Sequence, residues 1–313
     1  MPYLPESLAA LRRQSFADFE LVVCDNASTD DTAEVVHEFA RDDPRIRYVR
    51  VDVDAGAGAN FNRCVAETSG ELFSWAASDD RFRPSYLERA LGALSESNEF
   101  AMCTPSVAFV DENGAVTGGV TQPRDLSSSD VGIRLRAYLD RRSWYMVYGL
   151  VRRQALLGTC LFRPRYGPDV VLVWELLLRG RITTLDEPLL EYRRYAVKRA
   201  ADVWRGLQAG STGPPPSWPH VGLYRDLVGS CARPDLDRGA SLAGRRALKR
   251  WAVSTPFRDL VVDDLRDELR RPGTSGLRKA SYLGAAGLLR PRRALRNARR
   301  AMSLRFLRGE EPA

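Results

Sequence analysis

Two adjacent carboxylates, Asp79 and Asp80, follow an apolar run at residues 72–76 that is typical of a buried strand. In an open α/β sheet, ligands bind beyond the carboxyl ends of the strands. Two neighbouring carboxylates are unfavourable to ionise together unless a cation lies beside them. Carboxylate oxygens suit Mg²⁺ or Mn²⁺, and these ions usually bridge to substrate phosphates. The pair therefore predicts a metal and diphosphate site; the alternative is a solvated pair of aspartates in a surface turn.

The composition argues against several other kinds of site. The chain has 313 residues, of which 44% are hydrophobic, which is enough for a real core. No apolar run approaches the ~20 residues that cross a bilayer, and no signal-peptide pattern is present. The five cysteines form no C-x-x-C pair, and only two histidines occur. Zinc, a disulfide framework and histidine-pair chemistry are therefore disfavoured, and we expect a cytoplasmic protein.

The formal net charge of +7 raises the question of an anionic partner. Lys198, Lys249 and Lys279 are the only lysines among 47 basic residues, so the basic side chains are almost all arginine. Such a skew indicates codon bias as much as a selected binding surface. We therefore expect no nucleic-acid partner.

Strand-like and helix-like segments alternate through the first hundred residues, which implies parallel strands joined by crossover helices. Strands are predicted at residues 19–24, 46–51, 72–76, 101–110, 182–185 and 189–192, and helices at 4–13, 32–41 and 169–179. Asn113-Gly114 is typical of a hairpin turn, because both residues tolerate positive φ.

Three regions follow from the composition. Residues 1–198 are predicted to form an α/β domain, residues 199–220 a linker rich in Pro, Gly and Ser, and residues 221–313 a helical, Arg-rich region. Within the last region, residues 292–308 have an amphipathic pattern. That pattern suits either peripheral contact with the inner face of a membrane or a helix packed on the core.

Several motifs occur in an order that resembles family 2 glycosyltransferases of the GT-A fold. They are LVVCDNASTD at residues 21–30, NFNR at 60–63, GE at 70–71, SDD at 78–80, GPDVVL at 167–172 and YRR at 192–194. The resemblance covers roughly residues 3–195. It implies a mostly parallel GT-A-like sheet flanked by helices, with a C-terminal helical appendage and apparently without the family's first strand.

The resemblance implies a nucleotide-sugar donor, usually a UDP-sugar. Asp25 and Asn26 would lie against the base of the donor, and Asn62 and Arg63 would lie near its nucleotide. The acceptor would be a glycan, a lipid-linked molecule or a small molecule. The expected activity is a transfer reaction in polysaccharide, glycolipid or secondary glycan synthesis.

The resemblance also assigns the reacting groups. Asp79 would bind Mn²⁺ or Mg²⁺, and Asp80 would support it beside the nucleotide, because a diphosphate leaves readily only when a cation neutralises its charge. Asp169 would be the catalytic base of an inverting transfer, taking the proton of the acceptor hydroxyl. The start of a helix should keep this carboxylate ionised. The alternative for Asp169 is a simple helix cap.

Three departures from the family pattern stand out. The family opens with a strand and a Pro-x-Tyr-Asn-like loop, whereas this chain opens with what looks like the next helix. We therefore expect the native start to lie upstream. Ala77 replaces the first Asp of Asp-x-Asp, which affects ribose contact, and Pro168 replaces a Glu, which affects the acceptor site.

Other functions compete with transfer. A degraded GT-A module would bind a nucleotide or a protein partner without turnover, and Ala77, Pro168 and the absent strand favour it. A nucleotidyltransferase would need a Gly-rich phosphate loop followed by Lys or Arg, and none is visible. A dehydrogenase is disfavoured because Gly56-Ala57-Gly58 lacks the third glycine of G-x-G-x-x-G.

Overall fold

The computed structural model describes residues 2–122, 124–195 and 218–270, with side chains up to residue 264. The first elements are α1 (Leu4–Arg12), β1 (Leu21–Asn26), α2 (Thr32–Asp42), β2 (Ile46–Val51) and α3 (Ala57–Ala66). β1 and β2 pair in parallel. The strands and helices predicted over the first fifty residues are therefore confirmed.

A second, six-stranded sheet carries the rest of the α/β region. Its strands are β3 (Leu72–Phe73), β4 (Arg81–Phe82), β5 (Phe100–Val110), β6 (Val116–Val120), β7 (Leu150–Arg152) and β8 (Arg181–Arg193). They are ordered β3-β7-β5-β8-β4, with β6 paired to β5. The helices between them are α4 (Tyr86–Ser95), α5 (Val131–Asp140), α6 (Arg153–Leu157) and α7 (Pro168–Arg179).

The α/β class with flanking helices is confirmed, but the strand directions differ from the expected mostly parallel sheet. β1–β2 and β5–β8 are parallel, whereas the other four described pairings are antiparallel. The short strands β3, β4 and β7 run against their neighbours, and the predicted Asn-Gly hairpin adds β6. β8 is continuous where two strands were expected, because an irregularity in its pairing with β5 accommodates Pro188.

A cleft separates the two sheets. Among the described residues, β1 pairs only with β2, and β3 only with β7, so each strand has an edge without a partner strand. The cleft has a volume of about 1200 Å³ and is lined by both of these strands. No described strand lies between them, and the expected upstream start stays a prediction.

The C-terminal helices share the largest core with the sheet. They are α8 (Pro219–Ser230), α9 (Arg238–Ala252) and α10 (Thr255–Arg270). Leu223, Leu227 and Trp251 pack in the same apolar cluster as Trp174 of α7 and Phe73 of β3. No helix in the described part of the chain is long and apolar enough to cross a membrane. Most of the predicted linker, and the amphipathic segment 292–308, lie outside the described residues.

Candidate active site

The carboxyl end of β1 places two of the predicted nucleotide-binding residues at the cleft. Asp25 is 4% exposed, and its carboxylate accepts the Ser28 backbone N–H at 2.9 Å and the Tyr48 hydroxyl. Burial acts to raise the pKa of Asp25, but these hydrogen bonds outweigh it and hold the pKa below its usual value. Asn26 donates to Asp54, so the loops after β1 and β2 are tied together.

Helix α3 presents polar side chains to the same loop. Arg63 donates through Nη2 to the Asp25 carbonyl at 2.7 Å and to Asn60 at 2.6 Å. Asn60 in turn donates to the Cys24 carbonyl at 2.9 Å. The Nε and Nη1 groups of Arg63 are buried and have no acceptor among the described residues. A buried guanidinium with two unused donors is suited to an anionic ligand.

Asn62 makes a different contact from the predicted one. Its amide donates to the Phe162 carbonyl at 2.8 Å and accepts the Phe162 N–H at 2.9 Å. This reciprocal pair fixes the loop after α6 against α3, so the amide already has protein partners. The predicted place of Asn62 beside a nucleotide stays a prediction.

The acidic pair follows β3, which is shorter than predicted and ends at Phe73. Asp80 is 3% exposed. Its Oδ1 accepts the backbone N–H of Arg193 at 2.8 Å, whereas its buried Oδ2 has no partner among the described residues. Burial, followed by the charge of Asp79, raises the pKa of Asp80 to about 7. A buried carboxylate with one unsatisfied oxygen is suited to a cation or a hydrogen-bond donor as its partner.

Two residues at and just after the carboxyl end of β8 position Asp79. Its Oδ2 accepts the Tyr195 hydroxyl at 2.7 Å, and its carbonyl accepts Nε of Arg193 at 3.0 Å. Asp79 lines the cleft together with Asp25 and Asn26. The structure thus brings three of the predicted residues to one cavity.

Arg193 organises this loop. Its side chain is 1% exposed and pairs with Glu6 of α1 at 2.7 Å. The same guanidinium donates to the carbonyls of Asp111 and Glu112 at 3.0 and 3.1 Å, and its Cζ lies 4.1 Å from the centroid of the Tyr3 ring. The N-terminal helix, the β5–β6 turn and the acidic loop therefore meet at one side chain.

Asp169 lies in the first turn of α7, after Gly167 in the left-handed conformation and Pro168 at the first helical position. Proline is well tolerated there, so this departure from the family pattern leaves the helix intact. Burial raises the pKa of Asp169, although the backbone N–H groups of Asp169 and Val170 act to lower it. Desolvation therefore opposes the ionised form that the helix start was expected to favour.

The three predicted site carboxylates affect the ionisation of the same two tyrosines. Burial raises the pKa of Tyr148 and of Tyr192, and the charges of Asp79, Asp80 and Asp169 raise both further. Asp169 is not among the residues that line the cleft itself. The acidic pair and the predicted base, on different elements, therefore act electrostatically on the same two tyrosines.

The acidic loop could supply one or two ligands to a divalent cation, with water and substrate phosphates as the others. No group of three or more His, Cys, Asp or Glu side chains in the described part of the chain could hold a metal ion. Asp79 and Asp80 nevertheless supply hard oxygen donors, including the unsatisfied Oδ2 of Asp80. Mg²⁺ and Mn²⁺ sites of this kind use one or two carboxylates, with water and substrate phosphates completing the shell.

Solved structures share this fold. S. aureus TarS 1–349 in complex with UDP superposes with a TM-score of 0.61 at 18% identity, covering 92% of this chain and 76% of TarS. Mannosyltransferase PcManGT from Pyrobaculum calidifontis, in complex with GDP-Man and Mn²⁺, gives 0.54 at 16% identity, covering 99% and 84%. The fold is that of the GT-A glycosyltransferases.

The sequence match is more specific. A family model described as Glycosyl transferase family 2 matches residues 1–146, which is just under half of the chain. The GalNAc(5)-diNAcBac-PP-undecaprenol beta-1,3-glucosyltransferase of Campylobacter jejuni is 30% identical over 94 residues, 30% of each chain. Matches to three other curated relatives span between 35% and 40% of their length.

Several residues of the site were not anticipated from the sequence. Arg193, Glu6, Tyr195, Tyr148 and Tyr192 surround the acidic loop, yet none was assigned a role there. YRR at residues 192–194 was noted only as one of the motifs of the family resemblance. The available signal was the charge of Arg193 at a position where a strand closes the domain, and its partners are too distant in sequence to be inferred.

We predict that Asp80→Asn stabilises the metal-free protein at neutral pH. Asp80 keeps its proton up to about pH 7 in the folded state, whereas in the unfolded chain it ionises near pH 3.9. The folded state therefore binds more protons in this window, and the free energy of unfolding falls as pH rises through it. The substituted amide keeps the Oδ1 acceptor without the charge, so unfolding in urea at pH 7.5 should need about 2 kcal/mol more.

The gain should shrink at pH 4.5, where Asp80 is neutral in the folded protein. Glu112→Gln, which neutralises an exposed carboxylate in the neighbouring turn, is the matched control and should change little at either pH. Equal stability of Asp80→Asn and the parent protein at pH 7.5 would contradict the prediction.

We predict that Arg193→Met lowers the free energy of unfolding by about 3–5 kcal/mol, because Glu6 and several carbonyls lose a buried partner. Arg194→Met is the matched control. Arg194 is the next residue, is exposed, and stacks on Phe109, so its loss should be about 1 kcal/mol or less. Urea unfolding of both variants measures the difference, and similar losses would show that Arg193 does not organise the loop.

Proposed function

We propose that this protein transfers a sugar from a nucleoside-diphosphate sugar, most simply a UDP-sugar, to an acceptor hydroxyl with inversion at the sugar carbon. The observation that carries the proposal is the cavity that Asp25 and Asn26 line together with Asp79. One pair of carboxylates serves the leaving group, and a separate carboxylate serves the nucleophile. TarS with UDP and PcManGT with GDP-Man and Mn²⁺ support a nucleotide-sugar donor.

In this proposal the donor lies at the polar end of the cleft, beside Asp79. Asp25 and Asn26 line the wall of the cleft and would face the base of the nucleotide. The N–H groups of Arg63 that have no acceptor lie beside the Asp25 backbone. There they would bind anionic groups of the nucleotide sugar.

Asp79 and Asp80 would hold Mn²⁺ or Mg²⁺, which would neutralise the charge that develops on the departing diphosphate. Asp79 stays oriented by Tyr195 and by the Arg193 contact to its backbone. Asp80 has to lose its proton to serve as a ligand, so ligand binding and its deprotonation are coupled.

Asp169 would take the proton from the acceptor hydroxyl while that oxygen attacks the sugar carbon and the bond to the diphosphate breaks. The raised pKa of Asp169 makes it a better proton acceptor than an exposed aspartate, provided that it is ionised when the acceptor arrives. The acceptor in this proposal is a glycan, a lipid-linked molecule or a small molecule.

A degraded GT-A module that binds a nucleotide or a partner without turnover is the second candidate. Ala77, which stands where the family pattern has the first Asp of Asp-x-Asp, favours it. Donor hydrolysis separates the two candidates, because an active transferase passes the sugar slowly to water whereas an inactive module does not.

We predict that UDP with Mn²⁺ raises the melting temperature by about 5 °C at a hundredfold excess over the dissociation constant. Asp79→Ala should abolish the increase, because one carboxylate alone holds the cation poorly. Glu112→Ala removes an exposed carboxylate nearby and should keep it. UDP with EDTA should also give no increase. The absence of a shift with UDP, GDP or any other nucleoside diphosphate would remove the basis of the proposal.

We predict that Asp169→Asn slows release of UDP from a UDP-sugar by about 10²–10⁴-fold, because no carboxylate takes the proton from the attacking oxygen. The melting-temperature increase with UDP and Mn²⁺ should remain. Asp140→Asn, at the exposed end of α5, is the matched control and should react normally. Binding without any hydrolysis in the parent protein, across UDP-glucose, UDP-GlcNAc and GDP-mannose, would favour the degraded module.

A further inference from the structure

Helix α8 contacts three successive residues, 165–167, of the turn that precedes α7 and Asp169. The contacts come from His220, Leu223 and Asp226, which are spaced by three residues and so lie along one face of α8. All three lie beyond the 146 residues that the family model matches. One face of α8 therefore packs against the turn that precedes α7.

The first contact is a hydrogen-bond chain through His220. The Tyr166 hydroxyl and His220 Nε2 are 3.2 Å apart, and their rings meet edge to face with centroids 5.1 Å apart. On its other side, His220 Nδ1 lies 2.5 Å from Oδ1 of Asp264. The carboxylate makes Nδ1 the protonated nitrogen, which leaves Nε2 as an acceptor for the Tyr166 hydroxyl.

Asp264 fixes the histidine from α10. It is 2% exposed, and its Oδ2 accepts the backbone N–H of His220 at 2.9 Å and of Val221 at 3.3 Å. These N–H groups lie in the first turn of α8, where they have no partner within the helix. The carboxylate thus holds both the His220 ring and the start of α8.

The second and third contacts lock the backbone of the turn. Gly167 has φ +66°, and a Cβ there would lie 3.3 Å from Cδ1 of Leu223, so α8 packs directly on it. Arg165 pairs with Asp226 at 2.5 Å. The Gly167 carbonyl accepts the Val171 N–H at 3.2 Å and so begins α7. A shift of α8 would be transmitted to the helix turn that contains Asp169.

Tyr166 also lies in the electrostatic field of the candidate base. Burial raises the pKa of Tyr166, and the charges of Asp264 and Asp169 raise it further. The hydroxyl therefore stays protonated at neutral pH and donates to His220. The His220 chain and Asp169 flank the same short turn.

We propose that His220 is a positioning residue for Asp169: held by Asp264 and bonded to Tyr166, it sets the turn at residues 165–167 and hence the direction of the base. The inference rests on the proposed function, in which Asp169 takes the acceptor proton. It makes helices α8 and α10 part of the catalytic unit; like Asp169, they lie outside residues 1–146, which the family model matches.

The test compares Tyr166→Phe and His220→Ala with the parent protein. The donor is chosen from UDP-glucose, UDP-GlcNAc and GDP-mannose as the one that gives the largest thermal shift. The assay then measures release of its nucleoside diphosphate, UDP or GDP, in the presence of Mn²⁺. We expect kcat to fall about tenfold while KM for the donor changes less than about twofold, because the base is misdirected and the donor site is untouched. The double variant should lose little more than either single variant, since both break one chain.

Tyr224→Phe is the matched control, because it removes a hydroxyl from α8 that packs towards Trp251 and Phe257 rather than the turn. It should leave kcat unchanged. His220→Gln retains a polar side chain of similar reach and should recover part of the loss. Should His220→Ala fail to fold, Tyr166→Phe alone decides, since it removes only one oxygen atom.

Amide hydrogen exchange over residues 162–172 gives a second readout that does not depend on turnover. Exchange there should become about fivefold faster in Tyr166→Phe and not in Tyr224→Phe. Equal exchange and equal kcat in those two variants would overturn the proposal, as would a change confined to donor KM. If the parent protein turns over no donor, the proposed function fails, and exchange alone still supports or overturns the contact between α8 and the turn.

Discussion

The candidate site depends on one buried guanidinium. Arg193 ends β8, and its N–H groups reach the carbonyls of Asp79, Asp111 and Glu112 as well as the carboxylate of Glu6. A charge with 1% exposure is tolerable only when hydrogen bonds satisfy it on all sides. The loop carbonyls that accept these hydrogen bonds are in turn held in fixed positions by Arg193. The backbone that presents the acidic pair is thereby set before any ligand arrives.

Burial gives the carboxylates of the site different proton affinities. Asp25 accepts enough hydrogen bonds to keep its pKa low, whereas the pKa of Asp80 and of Asp169 is raised by burial. A low pKa suits a group that only accepts hydrogen bonds from a ligand or its neighbours. A raised pKa suits a proton acceptor, and at Asp80 it marks a group that is destabilised until a cation or donor reaches it.

The sequence was sufficient to predict most of the early elements, the position of Asp79 and Asp80 after a strand, and the position of Asp169 at a helix start, because these depend on local patterns. An apolar run followed by Asp79 and Asp80 needs no partner to be recognised, and Pro168 with Asp169 marks a helix start. The contacts of Arg193 with Glu6, Asp79, Asp111 and Glu112 join segments far apart in the chain, which no local pattern encodes. The same holds for Asn62, whose amide bonds to a distant loop, and for the strand directions, which depend on tertiary pairing.

Helix α7 explains why the C-terminal helices cannot be a detachable appendage. Ten of its twelve residues are buried, including Glu175. A helix that is apolar on nearly every side needs cover on both the sheet side and the outer side, and α8 and α9 supply the outer layer with Leu223, Leu227 and Trp251. Glu175 is compatible with this burial because Ser230, at the end of α8, donates to it at 2.7 Å. The helix that carries the candidate base therefore acquires its position from both halves of the chain, and removal of the C-terminal helices would expose the element on which the base depends.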